Sequence, residues 1–115
     1  MSQYWKPICN LSDIPLLGAR VVKRSDDRQA VPDVAIFRGG DEQVFALLDR
    51  CPHKGGPLSQ GMVFGDRVAC PLHNWHIQLD SGCAVAPDDG CVRRFSVKVE
   101  DGQVYLDMNE LAVAI

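Results

Sequence analysis

Hydrophobic residues recur along the chain in short runs that are separated by glycine, proline and acidic turn signals. Several runs alternate with polar residues, and alternation of this kind places successive side chains on opposite faces of a strand. The periodicity that would indicate a long amphipathic helix does not appear. Because short strands at intervals of about 8–12 residues are typical of antiparallel sandwiches and barrels, the pattern predicts an all-β fold.

Two predicted hairpins are the clearest elements of this pattern. The first joins the runs 34–38 and 43–48 through a Gly-Gly-Asp-Glu turn, and the second joins 95–99 and 104–106 through Asp-Gly. Glycine and aspartate in such turns readily adopt the backbone conformation that a tight hairpin needs. Further short strands are predicted at 18–23, 67–69 and 75–79, with a polar surface loop at 25–33.

Composition and charge limit the classes of function. The chain has 115 residues, of which 46% are hydrophobic and 23% charged, so we expect a single globular domain over residues 1–115. A net charge of −3 argues against nucleic acid as a partner. The apolar runs are far shorter than the ~20 residues that cross a bilayer. Residues 1–7 lack the pattern of a signal peptide, so we expect a cytoplasmic protein that does not bind a membrane.

Two short stretches carry the main candidate chemistry. Cys51-Pro-His53 and Cys70-Pro-Leu-His73 each offer one thiolate and one imidazole beside proline or glycine. Such a donor set could bind zinc or a two-iron cluster. Structural zinc sites usually take their cysteines from one Cys-x-x-Cys pair and their histidines from another segment. One cysteine and one histidine in each stretch favour a Rieske [2Fe–2S] centre, in which two cysteines bind one iron and two histidines bind the other.

The remaining cysteines and the third histidine do not indicate a second site. Five cysteines are an odd number, which argues against a disulfide framework, so Cys9, Cys83 and Cys91 are predicted to be free thiols. On the strand at 75–79, His76 faces away from the apolar side and is predicted to be exposed and non-ligating. One spare histidine cannot form a mononuclear iron site with two histidines and a carboxylate. The chain alone therefore has no complete catalytic site.

The four candidate ligands resemble those of the Rieske [2Fe–2S] protein family, with sixteen residues between His53 and Cys70. The flanking residues most resemble the small subunit of assimilatory NAD(P)H-dependent nitrite reductase, over residues 4–107. Asn74 before Trp75 is typical of that subunit, whereas oxygenase ferredoxins commonly have Gly or Phe after the second histidine. The stretches that carry this resemblance are 34–38, 43–47, 50–61, 70–75 and 90–95.

This resemblance implies both an architecture and a function. It implies a Rieske-type antiparallel β-sandwich or barrel in which two hairpin loops hold a [2Fe–2S] cluster. Cys51 and Cys70 would bind one iron, and His53 and His73 the other. The chain would transfer electrons in support of nitrite reduction to ammonium by a large subunit that carries sirohaem and FAD.

The resemblance also suggests where electrons leave and at what potential. The histidine-bound iron lies nearest the surface in this fold, so the partner would dock on Lys54, Pro57, Leu58 and Leu72. High-potential members of the family carry a disulfide at the positions of Gly56 and Leu72. Since neither residue is a cysteine here, we predict a potential at the low end of the range of roughly −150 to +300 mV.

Two alternatives stay open. The chain could be the ferredoxin component of a ring-hydroxylating oxygenase, or a zinc-stabilised interaction module. Visible colour separates an iron–sulfur protein from a zinc protein, and co-purification with a sirohaem polypeptide separates the two electron carriers.

Overall fold

The computed structural model describes residues 5–22, 33–40, 43–51, 57–71, 75–86 and 90–107. Within these ranges the regular elements are β-strands and two short 3₁₀ helices, which confirms the predicted all-β class. The strands are β1 (Trp5–Asn10), β2 (Ala19–Val22), β3 (Val34–Arg38), β4 (Val44–Leu48), β5 (Met62–Phe64), β6 (Arg67–Ala69), β7 (His76–Gln78), β8 (Arg94–Phe95), β9 (Val97–Glu100) and β10 (Gln103–Asp107). The 3₁₀ helices are η1 (Leu11–Asp13) and η2 (Leu58–Gln60).

The strands form three antiparallel sheets around one core. Their orders are β2-β3-β4-β8, β1-β10-β9 and β5-β6-β7. A single cluster of buried side chains draws on all three sheets, with Ile36 from β3, Ile77 from β7 and Leu106 from β10. The third sheet carries the second of the two candidate ligand stretches, so the common core anchors that stretch to the rest of the domain.

β3 lies at the centre of the core. Val34, Ala35, Ile36 and Phe37 are each 0% exposed, so both faces of the strand are covered. A continuous apolar run with turn residues on either side is typical of such a fully buried strand. β3 pairs with β4 from Val34↔Leu48 to Arg38↔Val44, as the first predicted hairpin requires.

The second predicted hairpin, between β9 and β10, is also confirmed. Asp101 and Gly102 have φ values of 52° and 77°. Two successive residues with positive φ are the mark of a type I′ turn, whose twist matches that of the flanking strands. Leu11 donates its backbone N–H to the Gly102 carbonyl at 2.8 Å, which ties this turn to η1.

Three features of the strand order differ from the prediction. The run 95–99 is divided at Ser96, because β8 pairs with β4 whereas β9 pairs with β10. β1 was not predicted. It contains Pro7 and a register shift between Pro7 and Cys9, and it lies at the edge of its sheet, where proline is tolerated. β5 was missed because its three residues are all apolar although only Val63 is buried, so the run shows no alternation. Apart from Asp33, the loop predicted at 25–33 lies outside the described residues.

Candidate metal centre

The two candidate cysteine ligands lie at the ends of strands from different sheets. Cys51 comes shortly after β4 and is 2% exposed, and Cys70 directly follows β6 and is 3% exposed. Both belong to the one hydrophobic core and take no part in a disulfide. The predicted ligands His53 and His73 lie outside the described residues. Among the residues described, no group of three or more His, Cys, Asp and Glu side chains forms a metal site.

The first stretch connects two sheets. β4 pairs with β3 and β8, whereas β5 pairs with β6, so the chain from Cys51 to η2 passes from the four-stranded sheet to the three-stranded one. The second stretch lies between β6 and β7, which pair with each other. The expectation of two hairpin loops therefore holds for the second stretch, and the first is a crossover between sheets.

A carboxylate joins the two ends of the first ligand stretch. We call the point where the two ends of a ligand stretch are joined its neck. Asp49 accepts the backbone N–H of Ser59 on Oδ1 and the Ser59 hydroxyl on Oδ2, both at 2.7 Å. Hydrogen bonds to an ionised carboxylate are stronger than those between neutral groups. Leu58, beside Ser59, is 0% exposed and holds η2 in the core. The residues before Cys51 and those after Pro57 are therefore held together by Asp49 and Ser59.

Sequence reasoning missed this closure. Asp49 lies two residues before Cys51, and Ser59 lies two residues after Pro57, so a carboxylate and a hydroxyl flank the stretch at similar distances. A carboxylate and a hydroxyl on either side of a proposed ligand stretch are the sequence signal that could have indicated this hydrogen-bonded closure.

A backbone hydrogen bond closes the neck of the second stretch. Cys70 donates its N–H to the Trp75 carbonyl at 2.7 Å. This bond continues the ladder of β6 and β7, in which Ala69 is paired with His76. The Trp75 side chain is partly buried and packs against the core. Closure of the second stretch therefore depends on main-chain atoms.

At Gly61 the backbone after the first ligand stretch lies against the backbone before the second. Gly61 ends η2 and precedes β5, and a Cβ atom at this position would collide with the Ala69 carbonyl oxygen. The same atom would lie 3.1 Å from Val68 Cγ2. Because Ala69 immediately precedes Cys70, this close backbone approach sets the end of the first stretch against the start of the second.

His76 and Leu58 differ from their predictions. His76 is half-buried, not exposed, because its ring packs in a T-shaped arrangement with that of Phe64, with 4.9 Å between ring centroids. Leu58 is in the core and cannot contribute to a docking surface. Pro57 is exposed, whereas Lys54 and Leu72 lie outside the described residues.

The prediction of three free thiols is wrong for two of them. Cys83 and Cys91 form a disulfide across an isolated β-bridge. The odd number of cysteines misled the prediction, because a single bridge leaves three thiols. Cys9 is a thiol, as predicted. Burial raises the pKa of Cys9, Arg20 opposes this rise, and Asp13 adds to it.

The buried cysteines fit the donor set of a two-iron centre. A thiolate in an apolar core is unfavourable unless a cation accompanies it, and both candidate thiols lie in one core at the necks of two ligand stretches.

None of the helices that the structure describes is long and apolar enough to cross a membrane.

Comparison with known proteins agrees with this interpretation. The family model for the Rieske [2Fe-2S] domain matches residues 4–96. The ferredoxin subunit of 3-phenylpropionate/cinnamic acid dioxygenase from Photorhabdus laumondii is 33% identical over 112 residues, which cover 96% of this chain and 98% of that subunit. Two larger relatives are matched over a small part of their length. The chain spans 18% of the oxygenase component of chloroacetanilide N-alkylformylase from Rhizorhabdus wittichii. It spans 24% of methylxanthine N1-demethylase from Pseudomonas putida.

Two solved structures resemble the whole domain. In the complex of reduced oxygenase and oxidised ferredoxin of carbazole 1,9a-dioxygenase, a chain is 31% identical with a TM-score of 0.77, covering 92% of this chain and 94% of that one. A protein provisionally assigned as a nitrite reductase (NADPH) small subunit is 29% identical with a TM-score of 0.74, covering 90% and 97%. The chain belongs to the Rieske [2Fe–2S] family and is an electron-transfer domain whose cofactor is a Rieske-type two-iron cluster.

Proposed function

We propose that this chain carries single electrons on a Rieske cluster held by Cys51, His53, Cys70 and His73. The observation that carries the proposal is the burial of the two cysteines, at 2% and 3% exposure, at the necks of the two stretches that also contain the histidines. In a Rieske centre the cysteines bind one iron and the histidines bind the other. When bound, the cluster supplies one-electron transfer.

The residues of the chain would hold this centre in place and keep water from its cysteine side. Asp49 and Ser59 set the ends of the first stretch, and the Cys70–Trp75 backbone hydrogen bond sets the ends of the second. Prolines in the stretches restrict the chain before metal binds and so reduce the entropy lost on binding. Ligands held in this way would favour rapid electron transfer, because little would have to rearrange when the electron moves.

For the partner, we propose the large subunit of NAD(P)H nitrite reductase, with sirohaem and FAD, in the cytoplasm. Rieske domains work with oxidoreductase or oxygenase components, and such a component would carry out the chemistry. The support is the Asn74-Trp75 pair and the flanking stretches, together with the similarity to a protein provisionally assigned as a nitrite reductase small subunit. Nitrite would be reduced on that larger subunit, and this chain would supply or relay electrons.

A second candidate partner is the terminal component of a ring-hydroxylating oxygenase. It is favoured by 33% identity to a dioxygenase ferredoxin subunit over 96% of the chain. The two candidates share the same cluster chemistry and differ in the protein that receives the electron.

The first test is the metal content. Protein produced with iron and sulfide should be red-brown and contain about two iron and two sulfide per chain. Voltammetry should place the midpoint at the low end of the range of roughly −150 to +300 mV. A colourless protein that holds zinc would instead support the zinc-stabilised interaction module.

The second test identifies the partner. A tagged chain recovered from its native cells should retain a polypeptide that contains sirohaem. Added to extract depleted of this chain, it should restore nitrite-dependent oxidation of NAD(P)H. A Cys9→Ser variant is the matched control, because Cys9 lies in β1 outside both ligand stretches, and it should behave like the parent protein. Retention of an oxygenase component, with no effect on nitrite reduction, would favour the second candidate.

A further inference from the structure

The Cys83–Cys91 disulfide lies beside the strand that leaves the second ligand stretch. The two residues are paired in an antiparallel bridge with their Cα atoms 4.0 Å apart. Backbone hydrogen bonds at 2.8 Å flank the pair, from Ala84 to Gly90 and from Val92 to Gly82. The cysteines therefore occupy a non-hydrogen-bonded position of the ladder, where opposing side chains are closest. We propose that this bridge is a reversible thiol–disulfide exchange site, which a protein dithiol opens by attack on Cys91 Sγ.

The two cysteines of the bridge differ in exposure. Cys91 is exposed, whereas Cys83 is half-buried. Exchange needs an incoming thiolate to reach one sulfur while the other leaves, so the rate depends on which sulfur can be approached. Exposure therefore selects Cys91 as the sulfur that is attacked and Cys83 as the leaving group. The cysteines of the ligand stretches, Cys51 and Cys70, are buried and do not offer such access.

The surroundings of Cys83 suit a leaving group. The Ser81 hydroxyl accepts the Cys83 backbone N–H at 3.2 Å, which holds the turn that carries Cys83. Cys83 Sγ lies 3.7 Å from the Ser81 carbonyl oxygen, which can accept a weak hydrogen bond from the thiol once it is protonated.

The exchange is balanced in atoms and electrons. A thiolate of the dithiol attacks Cys91 Sγ, a mixed disulfide forms, the Cys83–Cys91 bond breaks, and the Cys83 thiolate takes up a proton. The second thiolate of the dithiol then attacks its own partner sulfur and releases Cys91 as a thiolate, which is also protonated. Two electrons and two protons pass to the bridge, and the dithiol is oxidised to a disulfide. The reverse reaction closes the bridge.

Opening should affect the strand at Cys91 more than the sheet that carries the ligand stretch. Residues 83–85 remain bound to β7 by hydrogen bonds from Gln78 to the Cys83 carbonyl at 2.9 Å and from Val85 to the His76 carbonyl at 2.8 Å. The strand around Cys91 loses its covalent link to residue 83. Exchange is therefore a local event that can occur while the domain stays folded.

The test uses the intact protein with its cluster. Folded protein is incubated with dithiothreitol, free thiols are alkylated at intervals, and peptides that contain residues 83 and 91 are identified by mass spectrometry. Visible absorption reports the cluster in the same sample. We expect both cysteines to become labelled while the absorption is unchanged, and we expect glutathione, a monothiol, to leave its adduct on Cys91.

A control variant sharpens this test. Cys9→Ser removes a thiol in β1 outside the bridge, and its bridge should open at the parental rate. The proposal is overturned if the purified protein has no bridge, if the bridge resists dithiothreitol until the protein unfolds, or if the glutathione adduct forms on Cys83. Because the cluster absorption is read separately, failure of this proposal is distinguishable from failure of the electron-transfer function.

Discussion

The two ligand stretches are closed in different ways. The first connects two sheets, and its neck depends on the side chains of Asp49 and Ser59. The second lies within one hairpin, and its neck depends on a backbone hydrogen bond between Cys70 and Trp75. A backbone closure tolerates changes of side chain, whereas a side-chain closure is lost with one substitution. Sensitivity to mutation should therefore be concentrated at the first neck and at Gly61, where the two closures meet.

The largest effect is expected where both stretches are disturbed together. Gly61→Ala should destabilise the protein by about 3 kcal/mol and prevent stable cluster binding, because its Cβ would collide with the Ala69 carbonyl oxygen. Urea unfolding and iron content measure these effects. Gly65→Ala is the control: nothing lies within 4 Å of its Cβ position, and with φ at +62° it should cost only about 1–2 kcal/mol. Equal losses of stability and of iron in the two variants would contradict the role assigned to the close approach of Gly61 to Ala69.

A smaller effect is expected from breaking the first neck alone. Ser59→Ala and Asp49→Ala should each cost about 1–3 kcal/mol, because a partly buried partner is left without its hydrogen bond. The double variant should cost less than the sum of the two. The cluster should also be lost faster to a chelator. Full additivity of the unfolding free energies would show that these residues act independently.

The second neck should resist the corresponding change. Trp75→Phe keeps the carbonyl that accepts the Cys70 N–H and removes only part of a half-buried side chain. The expected loss is below about 1.5 kcal/mol, with no change in the rate of cluster loss to a chelator. Chelator sensitivity as great as that of Ser59→Ala would remove the distinction between the two necks.

The smallest effect is expected at Cys9, a free thiol in β1 outside both ligand stretches, and the measurement is the pH dependence of its alkylation. Burial raises its pKa, so the folded protein binds the proton more tightly than the unfolded chain. The stability contributed by this group is present below the ordinary thiol pKa and is lost as pH rises through the folded pKa. Its alkylation rate should consequently reach half of its maximum at a higher pH than that of free cysteine. A profile identical to free cysteine would contradict the effect of burial.

The parts of the fold that local sequence signals control were predictable. The Asp-Gly turn at 101–102 requires two residues with positive φ, and it forms the hairpin that the sequence indicated. The apolar run 34–38 is the buried β3. The spacing of the cysteines and histidines indicated the family, and the structure places Cys51 and Cys70 in one core.

The parts that depend on distant contacts were not predictable. Ser96 divides one apolar run between two sheets, and no local signal specifies which strand each half will pair with. Asp49 and Ser59 meet only because the chain returns to the neck after the first stretch. The Cys83–Cys91 bridge depends on the pairing of two short segments, and an argument from the number of cysteines could not detect it.

The assignment of the histidines is the central claim, and electron paramagnetic resonance of the dithionite-reduced protein tests it most directly. The parent protein should give the rhombic spectrum with a low average g value that histidine ligation produces. His53→Ala and His73→Ala should each abolish that signal while the circular dichroism of the β-sheets persists. His76→Ala is the matched control, because this histidine packs against Phe64, and its spectrum should be unchanged. An unchanged signal in His53→Ala or His73→Ala, or its loss in His76→Ala alone, would contradict the assignment.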